Sequence, residues 1–122
     1  MAKMTVIIGA TPDPSRYACL AAHMLGEYEH EIVPVSIKKG EIMGKEILDL
    51  RKKPPIEDVD TVTMYIGTRH QPEWYDYIIG LKPKRIIFNP GTENYEFEKI
   101  AEEKGIETIQ GCTLVMLRSR QY

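Results

Sequence analysis

The sequence predicts an α/β domain with a mainly parallel β-sheet of five or six strands. Short segments rich in Val, Ile, Thr and Phe alternate with segments whose apolar residues recur every three or four positions. This alternation is typical of parallel strands joined by right-handed crossover helices. A glycine follows most of the predicted strands, where the chain has to turn. Because the pattern spans nearly all of the 122 residues, we expect a single domain, residues 1–122.

Local patterns place the individual elements. Runs of four to six apolar or β-branched residues predict strands, and Asp, Thr, Pro and Gly at characteristic positions mark the ends of helices. The predicted strands are Met4–Ile8, Ile32–Val35, Thr61–Ile66, Arg85–Phe88 and Ile106–Ile109. The predicted helices begin at Asp13 or Pro14, Pro72 and Glu93 and end near Leu25, Gly80 and Lys104, with Asp13 and Thr92 as N-caps and Gly26 and Gly105 as left-handed stops. Thr11, followed by Pro12 at the first helical position, is an alternative N-cap of the first helix.

Three features are less regular. Pro34 cannot donate to a strand ladder, so we expect it near the end of its strand or on an unpaired side. The segment 41–55 is compatible with a short helix or with an extended crossover that ends at Pro54 and Pro55. The tail from Cys112 to Tyr122 receives no assignment.

Composition narrows the function classes. The chain is 43% apolar and 28% charged and carries a net charge of −2, values that point to neither a nucleic-acid nor a membrane partner. No apolar run approaches the roughly 18 residues that span a bilayer. Two cysteines, Cys19 and Cys112, are too few for a disulfide framework, and the first residues lead into a strand with no recognisable signal peptide. We therefore expect a cytoplasmic protein.

The turn after the first strand is a candidate anion site. Gly9 permits a sharp turn, and Pro12 and Pro14 prepare the first turn of a helix. Backbone N–H groups at a helix N-terminus favour an anion, most often phosphate. Ser15 and Arg16 add a hydroxyl and a guanidinium group beside it.

The identity of the nucleotide follows from two tests. The dinucleotide fingerprint requires three glycines, whereas the corresponding positions here are Gly9, Thr11 and Pro14. NAD-binding proteins carry an acidic residue after the second strand, whereas this chain has Ser36 and Lys38–Lys39. A hydroxyl and two ammonium groups favour a phosphorylated ribose. These residues favour a phosphorylated adenosine ligand over NAD and leave both NADP and coenzyme A open.

Three segments carry a family resemblance, namely Val6–Arg16, Ile32–Val35 with Lys38–Gly40, and Val59–Asp60. In these segments the chain resembles the small stand-alone CoA-binding proteins, which are similar to the N-terminal CoA-binding domain of the succinyl-CoA synthetase α subunit. The resemblance extends from Thr5 to about Cys112. It implies a Rossmann-like three-layer domain that binds coenzyme A or an acyl-CoA.

The resemblance also implies which residues contact the ligand. The turn after the first strand would hold the phosphates, and the segment after the second strand would border the 3′-phosphorylated ribose and adenine. Residues after the third and fourth strands would border the adenine or pantetheine arm and the pantetheine end. The implied contacts are Gly9, Ala10, Thr11, Ser15, Arg16, Tyr17, Val35, Ser36, Lys38, Lys39, Gly40, Tyr65, Ile66, Asn89, Pro90 and Gly91. Family members often carry an Arg directly after the third strand, where this chain has Gly67, Thr68 and Arg69, and the family's usual ending is missing after Cys112.

Side chains that could perform catalysis have simpler explanations. His23, His30 and His70 have no His or Cys partner at metal-ligand spacing, and no base is paired with Cys112. We expect Cys19 to be a core residue and Arg51–Lys53 to be an exposed basic run. Trp74, Tyr75 and Tyr77 could stack on adenine, but packing against the sheet is the favoured interpretation.

The sequence therefore predicts no catalytic residue and no metal site. The favoured function is binding of coenzyme A or an acyl-CoA without turnover. The protein could act as a homodimer or with an unidentified protein partner. The alternatives are an NADP-dependent reductase-like protein and an oligomerisation scaffold that binds no ligand.

Overall fold

The centre of the computed structural model, which describes residues 2–122, is a β-sheet of six parallel strands. Its strands are β1 (Thr5–Ile8), β2 (Ile32–Ser36), β5 (Leu48–Asp49), β6 (Thr61–Met64), β7 (Arg85–Phe88) and β8 (Glu107–Gln110), and a separate hairpin is formed by β3 (Glu41–Ile42) and β4 (Lys45–Glu46). The sheet order is β5-β2-β1-β6-β7-β8, and every pair in it is parallel. The predicted α/β fold is confirmed, and the sheet has six strands, the larger of the two predicted numbers.

Helices cover both faces of the sheet, as a Rossmann-like three-layer fold requires. They are α1 (Tyr17–Glu27), α2 (Tyr75–Gly80), α3 (Tyr95–Glu103) and α4 (Thr113–Arg118), and 3-10 turns occupy Leu50–Lys52, Thr68–His70 and Pro72–Trp74. Because successive strand residues point to opposite faces, the apolar run of β1 contributes to two cores. Ile7 packs with Leu25 of α1 and Leu117 of α4, whereas Val6 and Ile8 belong to the core beneath α2 and α3.

The first helix begins later than the sequence predicts. Its N-cap is Arg16, not Asp13, because the Asp13 carboxylate closes a local turn by accepting hydrogen bonds from the backbone N–H and the hydroxyl of Ser15, at 3.0 and 2.7 Å. The prediction of Gly26 as a left-handed stop is also wrong. Gly26 lies inside α1, where the absence of a side chain makes room for Met43 at the tip of the β3–β4 hairpin.

Asn94, not Thr92, caps α3. The Asn94 side-chain oxygen accepts a hydrogen bond from the Phe97 N–H at 3.1 Å, whereas the Thr92 hydroxyl donates to the Asn89 carbonyl at 2.8 Å. A Thr hydroxyl that is engaged with a preceding carbonyl cannot also cap the following helix. The helix predicted from Pro72 is divided into a 3-10 turn and α2.

The two segments that the sequence left open have defined structures. Residues 41–55 form neither of the predicted alternatives throughout, but contain the β3–β4 hairpin, the short strand β5 and a 3-10 turn. The tail forms α4, which packs on α1. Pro34 is buried in β2 opposite Ile7, and the pairing between β2 and β5 begins only at Val35, so Pro34 needs no hydrogen bond on that side.

The strand order places an opening at one edge of the sheet. From β1 the chain moves outward to β2 and β5, and it then crosses back to β6 on the other side of β1. The connections on either side of β1 therefore diverge at its carboxyl end, where open α/β sheets bind their ligands. Within residues 2–122, no helix is long and apolar enough to cross a membrane.

Candidate functional site

A cleft of about 400 Å³ lies at the carboxyl ends of β1, β2 and β6. Its volume falls within the range of about 300–1,000 Å³ that small-molecule sites usually have. Its walls come from three connections and from the turn after β5. The lining residues are Gly9, Thr11, Arg16, Tyr17, Ala18, Ser36, Ile37, Lys38, Leu50, Tyr65, Ile66, His70, Glu73 and Trp74.

Gly9 forms the floor of the turn that leaves β1. Its φ of +97° is rarely adopted by residues with a side chain, and a Cβ atom there would lie 2.8 Å from the backbone carbonyl carbon and oxygen of Tyr65. The Gly9 N–H donates to the Val35 carbonyl at 2.9 Å, and the Tyr65 N–H donates to the Ile8 carbonyl at 2.8 Å. The three strand ends are therefore joined closely below the cleft, and only glycine fits between them.

The N-terminus of α1 faces this cleft with free backbone donors. The N–H groups of Cys19 and Leu20 donate to the Arg16 carbonyl, at 3.1 and 3.2 Å. Within residues 2–122, no acceptor takes a hydrogen bond from the N–H of Tyr17 or Ala18, and both residues line the cleft. These donors and the positive end of the helix dipole make the N-terminus of α1 suitable for an anion.

The loop before α1 also carries a negative charge. Hydrogen bonds from the Ser15 N–H and hydroxyl lower the pKa of the Asp13 carboxyl group, and the positive charges of Arg16 and Lys38 lower it further. Asp13 is exposed, and its N–H donates to the Thr11 hydroxyl oxygen at 3.2 Å. The Ser15 hydroxyl, which the sequence offers as a phosphate donor, is therefore engaged by Asp13.

A second hollow of about 460 Å³ adjoins the cleft and shares its Ser36–Lys38 wall. Its cationic residues are Lys38, Lys39, Arg51 and Lys52, and its acidic residues are Glu46 and Asp49. The Ser36 hydroxyl accepts a hydrogen bond from the Lys38 N–H at 3.1 Å, which shapes the basic turn.

Gly40 brings this basic turn against the loop after β1. A Cβ atom at Gly40 would lie 2.9 Å from Pro12 Cγ, so a side chain there would push the two loops apart. The basic turn and the N-terminus of α1 therefore form adjoining walls of one binding surface.

The wall on the β6 side is more apolar. Ile66 and Trp74 contribute to the core beneath α2 and also line the cleft, and Trp74 is only 9% exposed. Burial raises the pKa of the Tyr65 hydroxyl above the usual value for tyrosine. His70 and Glu73 are exposed and add polar groups to this wall.

Asn89, Pro90 and Gly91 follow β7 and do not line the cleft. The buried Asn89 amide donates to the Thr63 hydroxyl and the Met64 carbonyl, at 2.7 and 2.8 Å, and its oxygen accepts from the Thr113 N–H at 2.9 Å. These bonds join β7 to β6 and to the start of α4. The Asn89 side chain thus holds the edge of the sheet together.

The remaining residues implied by the resemblance fall into two groups. Those that line the cleft or the second hollow are Gly9, Thr11, Arg16, Tyr17, Ser36, Lys38, Lys39, Gly40, Tyr65 and Ile66. Ala10 and Val35 are fully buried behind the cleft, and Ser15 lies outside its lining.

Sequence reasoning missed several lining residues. The sequence indicates no role for Glu73 and none for Leu50, which lies in the segment whose structure the sequence leaves open. Arg51–Lys53 is exposed, as predicted, but the sequence does not indicate that Arg51 and Lys52 line the second hollow. Leu50 and Arg51 are brought to the site by the short parallel strand β5, which pairs with Val35 and Ser36. The only signal in the sequence is a basic run close to a Pro-Pro pair, and that pattern alone does not indicate where the run lies in the fold.

The other candidate side chains mostly have structural surroundings. Tyr75 stacks on Phe97 with ring centroids 4.4 Å apart, and the Tyr77 hydroxyl donates to the Pro54 carbonyl at 2.6 Å. Cys19 is buried in α1, where burial raises the pKa of its thiol. The His30 ring accepts a hydrogen bond from the Lys3 N–H at 2.9 Å, and burial lowers its pKa. Within residues 2–122, no three His, Cys, Asp or Glu side chains are grouped as metal ligands.

Solved structures resemble this chain over most of its length. An uncharacterized protein is 54% identical, with a TM-score of 0.97, over 100% of this chain and 99% of its own. A hypothetical protein from Pyrococcus horikoshii OT3 is 23% identical, with a TM-score of 0.82, over 98% of this chain and 84% of its own. A protein from Thermus thermophilus is 24% identical, with a TM-score of 0.84, over 99% of this chain and 91% of its own. The last two likenesses show the fold alone.

The sequence itself places the chain in a family. No curated protein matches it significantly. The model of the CoA binding domain family, in contrast, matches residues 3–118, which include the six strands of the central sheet, the β3–β4 hairpin and all four helices. The chain therefore belongs to the CoA-binding domain family.

Proposed function

We propose that this protein binds coenzyme A or an acyl-CoA in the cleft at the carboxyl ends of β1, β2 and β6, and that binding is not followed by turnover. The observation that carries the proposal is the match to the CoA binding domain family over residues 3–118. The cleft supports it because it lies where open α/β sheets bind nucleotides. The residues 1–122 act as one binding domain in this proposal.

The phosphates of the ligand divide between two groups of donors. The pyrophosphate lies against the N-terminus of α1, where the N–H groups of Tyr17 and Ala18 and the Arg16 side chain are available. The 3′-phosphate lies in the second hollow near Lys38 and Lys39. The shared Ser36–Lys38 wall makes the two positions neighbours, as an extended ligand with phosphates at two points requires.

Arg51 and Lys52 extend the basic group that receives the 3′-phosphate. Both line the second hollow, although Arg51 is already paired with Asp49 at 3.1 Å. Since that pair is exposed, its contribution to stability is small and a ligand phosphate can compete for the guanidinium group. In this proposal, Arg51 turns from Asp49 toward the ligand when the 3′-phosphate is bound.

The organic part of the ligand occupies the more apolar wall. Tyr65 and Ile66 border the adenine or the pantetheine arm, and Trp74 lines the same wall beside them. The loop Asn89–Gly91 lies nearer the pantetheine end in this proposal. The Asn89 amide and carbonyl and the Gly91 N–H are already hydrogen-bonded within the protein, so this loop borders the ligand by contact rather than by donating to it.

A thermal-shift panel with CoA, acetyl-CoA, NADP, NAD and AMP tests the ligand class. A ligand at a hundred times its Kd stabilises the folded state by about 2.7 kcal/mol, which raises the Tm of a domain of this size by several degrees. A shift with CoA or acetyl-CoA supports the proposal. A shift with NADP alone supports a reductase-like protein, and no shift with any of them supports a scaffold without a ligand.

Arg16→Ala tests the location of the phosphates, with Arg118→Ala as the control. Arg118 is an exposed arginine of α4 and lines neither hollow. The proposal predicts that the CoA shift is lost in the first variant and kept in the second. Turnover is tested separately by incubating the protein with acetyl-CoA and measuring free thiol, which should not rise above the rate without protein.

A further inference from the structure

One buried amide connects the wall of the cleft to the next loop of the sheet edge. Gln71 is 0% exposed, and its side-chain N–H₂ group donates to the carbonyls of Ile66 and Thr92, at 2.9 and 2.8 Å. Its side-chain oxygen accepts a hydrogen bond from the Asn94 amide at 2.9 Å. Both donors of this amide and its oxygen are therefore used, which is how a buried polar group avoids a desolvation penalty.

The main chain of Gln71 holds the same wall. Its N–H donates to the Thr68 carbonyl at 3.2 Å, and its carbonyl accepts from the Trp74 N–H at 2.8 Å. Together with the side-chain bond to Ile66, these contacts fix both ends of the segment 66–74. Four residues of that segment line the cleft, namely Ile66, His70, Glu73 and Trp74.

The position of this wall matters because it lies directly against the glycine turn. Ile66 Cγ1 is 3.1 Å from the position that a Cβ atom of Gly9 would occupy. A small displacement of Ile66 therefore changes the width of the cleft at its floor. The only helical elements of segment 66–74 are two 3-10 turns of three residues each. Because 3-10 hydrogen bonds have poorer geometry than α-helical ones, the internal hydrogen bonds of this segment hold it less firmly than those of an α-helix would.

The loop on the other side of Gln71 is well anchored. Thr92 donates through its hydroxyl to the Asn89 carbonyl, and Asn94 caps α3. Asn94 also donates to the Tyr75 hydroxyl at 2.8 Å. Gln71 thus connects the 66–74 wall, which contains only 3-10 turns, to the hydrogen-bonded loop that precedes α3, although Gln71 itself does not line the cleft.

We infer that Gln71 is a positioning residue for the ligand, an inference that rests on the proposed function. Its buried amide holds the 66–74 wall at the distance from Gly9 that CoA requires. Loss of the amide leaves the phosphate donors of α1 and the basic turn in place but lets the opposite wall move. The main consequence is weaker binding of CoA by a protein that is still folded.

Two substitutions test this role by calorimetric titration with CoA. Gln71→Ala removes all three side-chain bonds, and we expect the CoA affinity of the folded variant to fall about ten-fold, because CoA must then order the released wall when it binds. Gln71→Glu keeps the shape but can donate only when its carboxyl group is protonated. Burial and the two facing carbonyl oxygens raise the pKa of that carboxyl group, so its affinity relative to wild type should be higher at pH 5.5 than at pH 8.

Thr5→Val is the matched control. The Thr5 hydroxyl is also fully buried and bonds to the Tyr122 hydroxyl at 2.5 Å, but it lies at the amino end of β1, away from the cleft. Its loss should lower the Tm and leave the Kd for CoA unchanged at both pH values. A role of Gln71 in stability alone predicts the same behaviour for the Gln71 variants.

The outcomes separate the inference from the proposed function. If wild-type protein takes up no CoA, the proposed function fails and the inference fails with it. If wild type binds CoA and folded Gln71→Ala binds it equally well, only the inference is wrong. If Gln71→Ala does not fold, a Gln71→Glu affinity that matches wild type at both pH values refutes the inference, and a selective loss at pH 8 supports it.

Discussion

The tight turn at Gly9 gives a quantitative test of the geometry below the cleft. An alanine at Gly9 meets two separate penalties, a φ of +97° and a Cβ atom 2.8 Å from the Tyr65 backbone. The first costs about 1–2 kcal/mol for a residue with a side chain. The second requires the β6 connection to move by several tenths of an ångström, at a cost of about 1–3 kcal/mol typical of overpacked sites. We expect Gly9→Ala to reduce the free energy of unfolding by about 4 kcal/mol.

Two other glycines separate these penalties. Gly44 has a φ of +77° and nothing within 4 Å of its Cβ position, so Gly44→Ala meets only the conformational penalty of about 1–2 kcal/mol. Gly67 has a φ of −58° and open space, so Gly67→Ala should be neutral or stabilise the protein by up to about 1 kcal/mol.

Urea denaturation followed by circular dichroism gives the three values. With an m-value of about 2 kcal/mol/M, the Gly9→Ala midpoint should fall by about 2 M and the Gly44→Ala midpoint by less than 1 M. Equal midpoints for these two variants would refute the close approach of Gly9 and Tyr65 and with it the described floor of the cleft.

Three further predictions follow from the charges and thiols of the chain. Asp13→Asn keeps an oxygen that accepts from Ser15 but removes a negative charge beside the proposed pyrophosphate site. The CoA Kd measured by calorimetry should therefore fall about two- to five-fold at low salt, and this gain in affinity should fade at high salt. A higher or unchanged Kd at low salt would place the phosphates elsewhere. Burial raises the pKa of Tyr77 to about 12, whereas an unfolded Tyr ionises near 10. The stability that this neutral hydroxyl contributes is complete below pH 10 and is lost as the pH rises toward 12, so Tyr77→Phe should flatten the fall in urea midpoint over that interval, and an unchanged pH profile would contradict its burial. A thiol reagent should modify Cys112 first, because Cys19 is only 3% exposed and burial raises the pKa of its thiol. Equal rates of thiol modification in the Cys112→Ser and Cys19→Ser variants would be inconsistent with this packing.

Much of the fold is predictable because its signals are local. The four central strands, β2, β1, β6 and β7, are mainly apolar or β-branched and are buried on both faces except for the half-buried Val33, as is typical of parallel strands. Strand β5 has only two residues, Leu48 and Asp49, and no run of that length carries a recognisable pattern. It forms because Val35 and Ser36 offer a free edge of β2.

The errors at helix ends share one physical cause. Asp13 and Thr92 are both good N-cap residues by type, but each forms a local hydrogen bond outside the helix. The true caps, Arg16 and Asn94, follow by two or three residues. A single sequence does not decide which of several nearby polar residues wins this competition.

Residue types and spacing predict one side of the candidate site, and on the β6 side the family resemblance implies only Tyr65 and Ile66, both of which line the cleft. The turn at Gly9 and the basic residues after β2 are local features, and the strand order brings them to adjoining walls. The other wall depends on Gln71, whose partners Thr92 and Asn94 are more than 20 residues away in sequence. Such long-range amide bonds leave no periodic or compositional signal.

A crystal structure of the protein grown with CoA tests the central claim most directly. The account predicts the pyrophosphate within hydrogen-bond distance of the N–H of Tyr17 or Ala18, and the 3′-phosphate within 4 Å of a Lys38 or Lys39 ammonium group. Electron density for CoA at any other surface, or an empty cleft in crystals saturated with CoA, would contradict it.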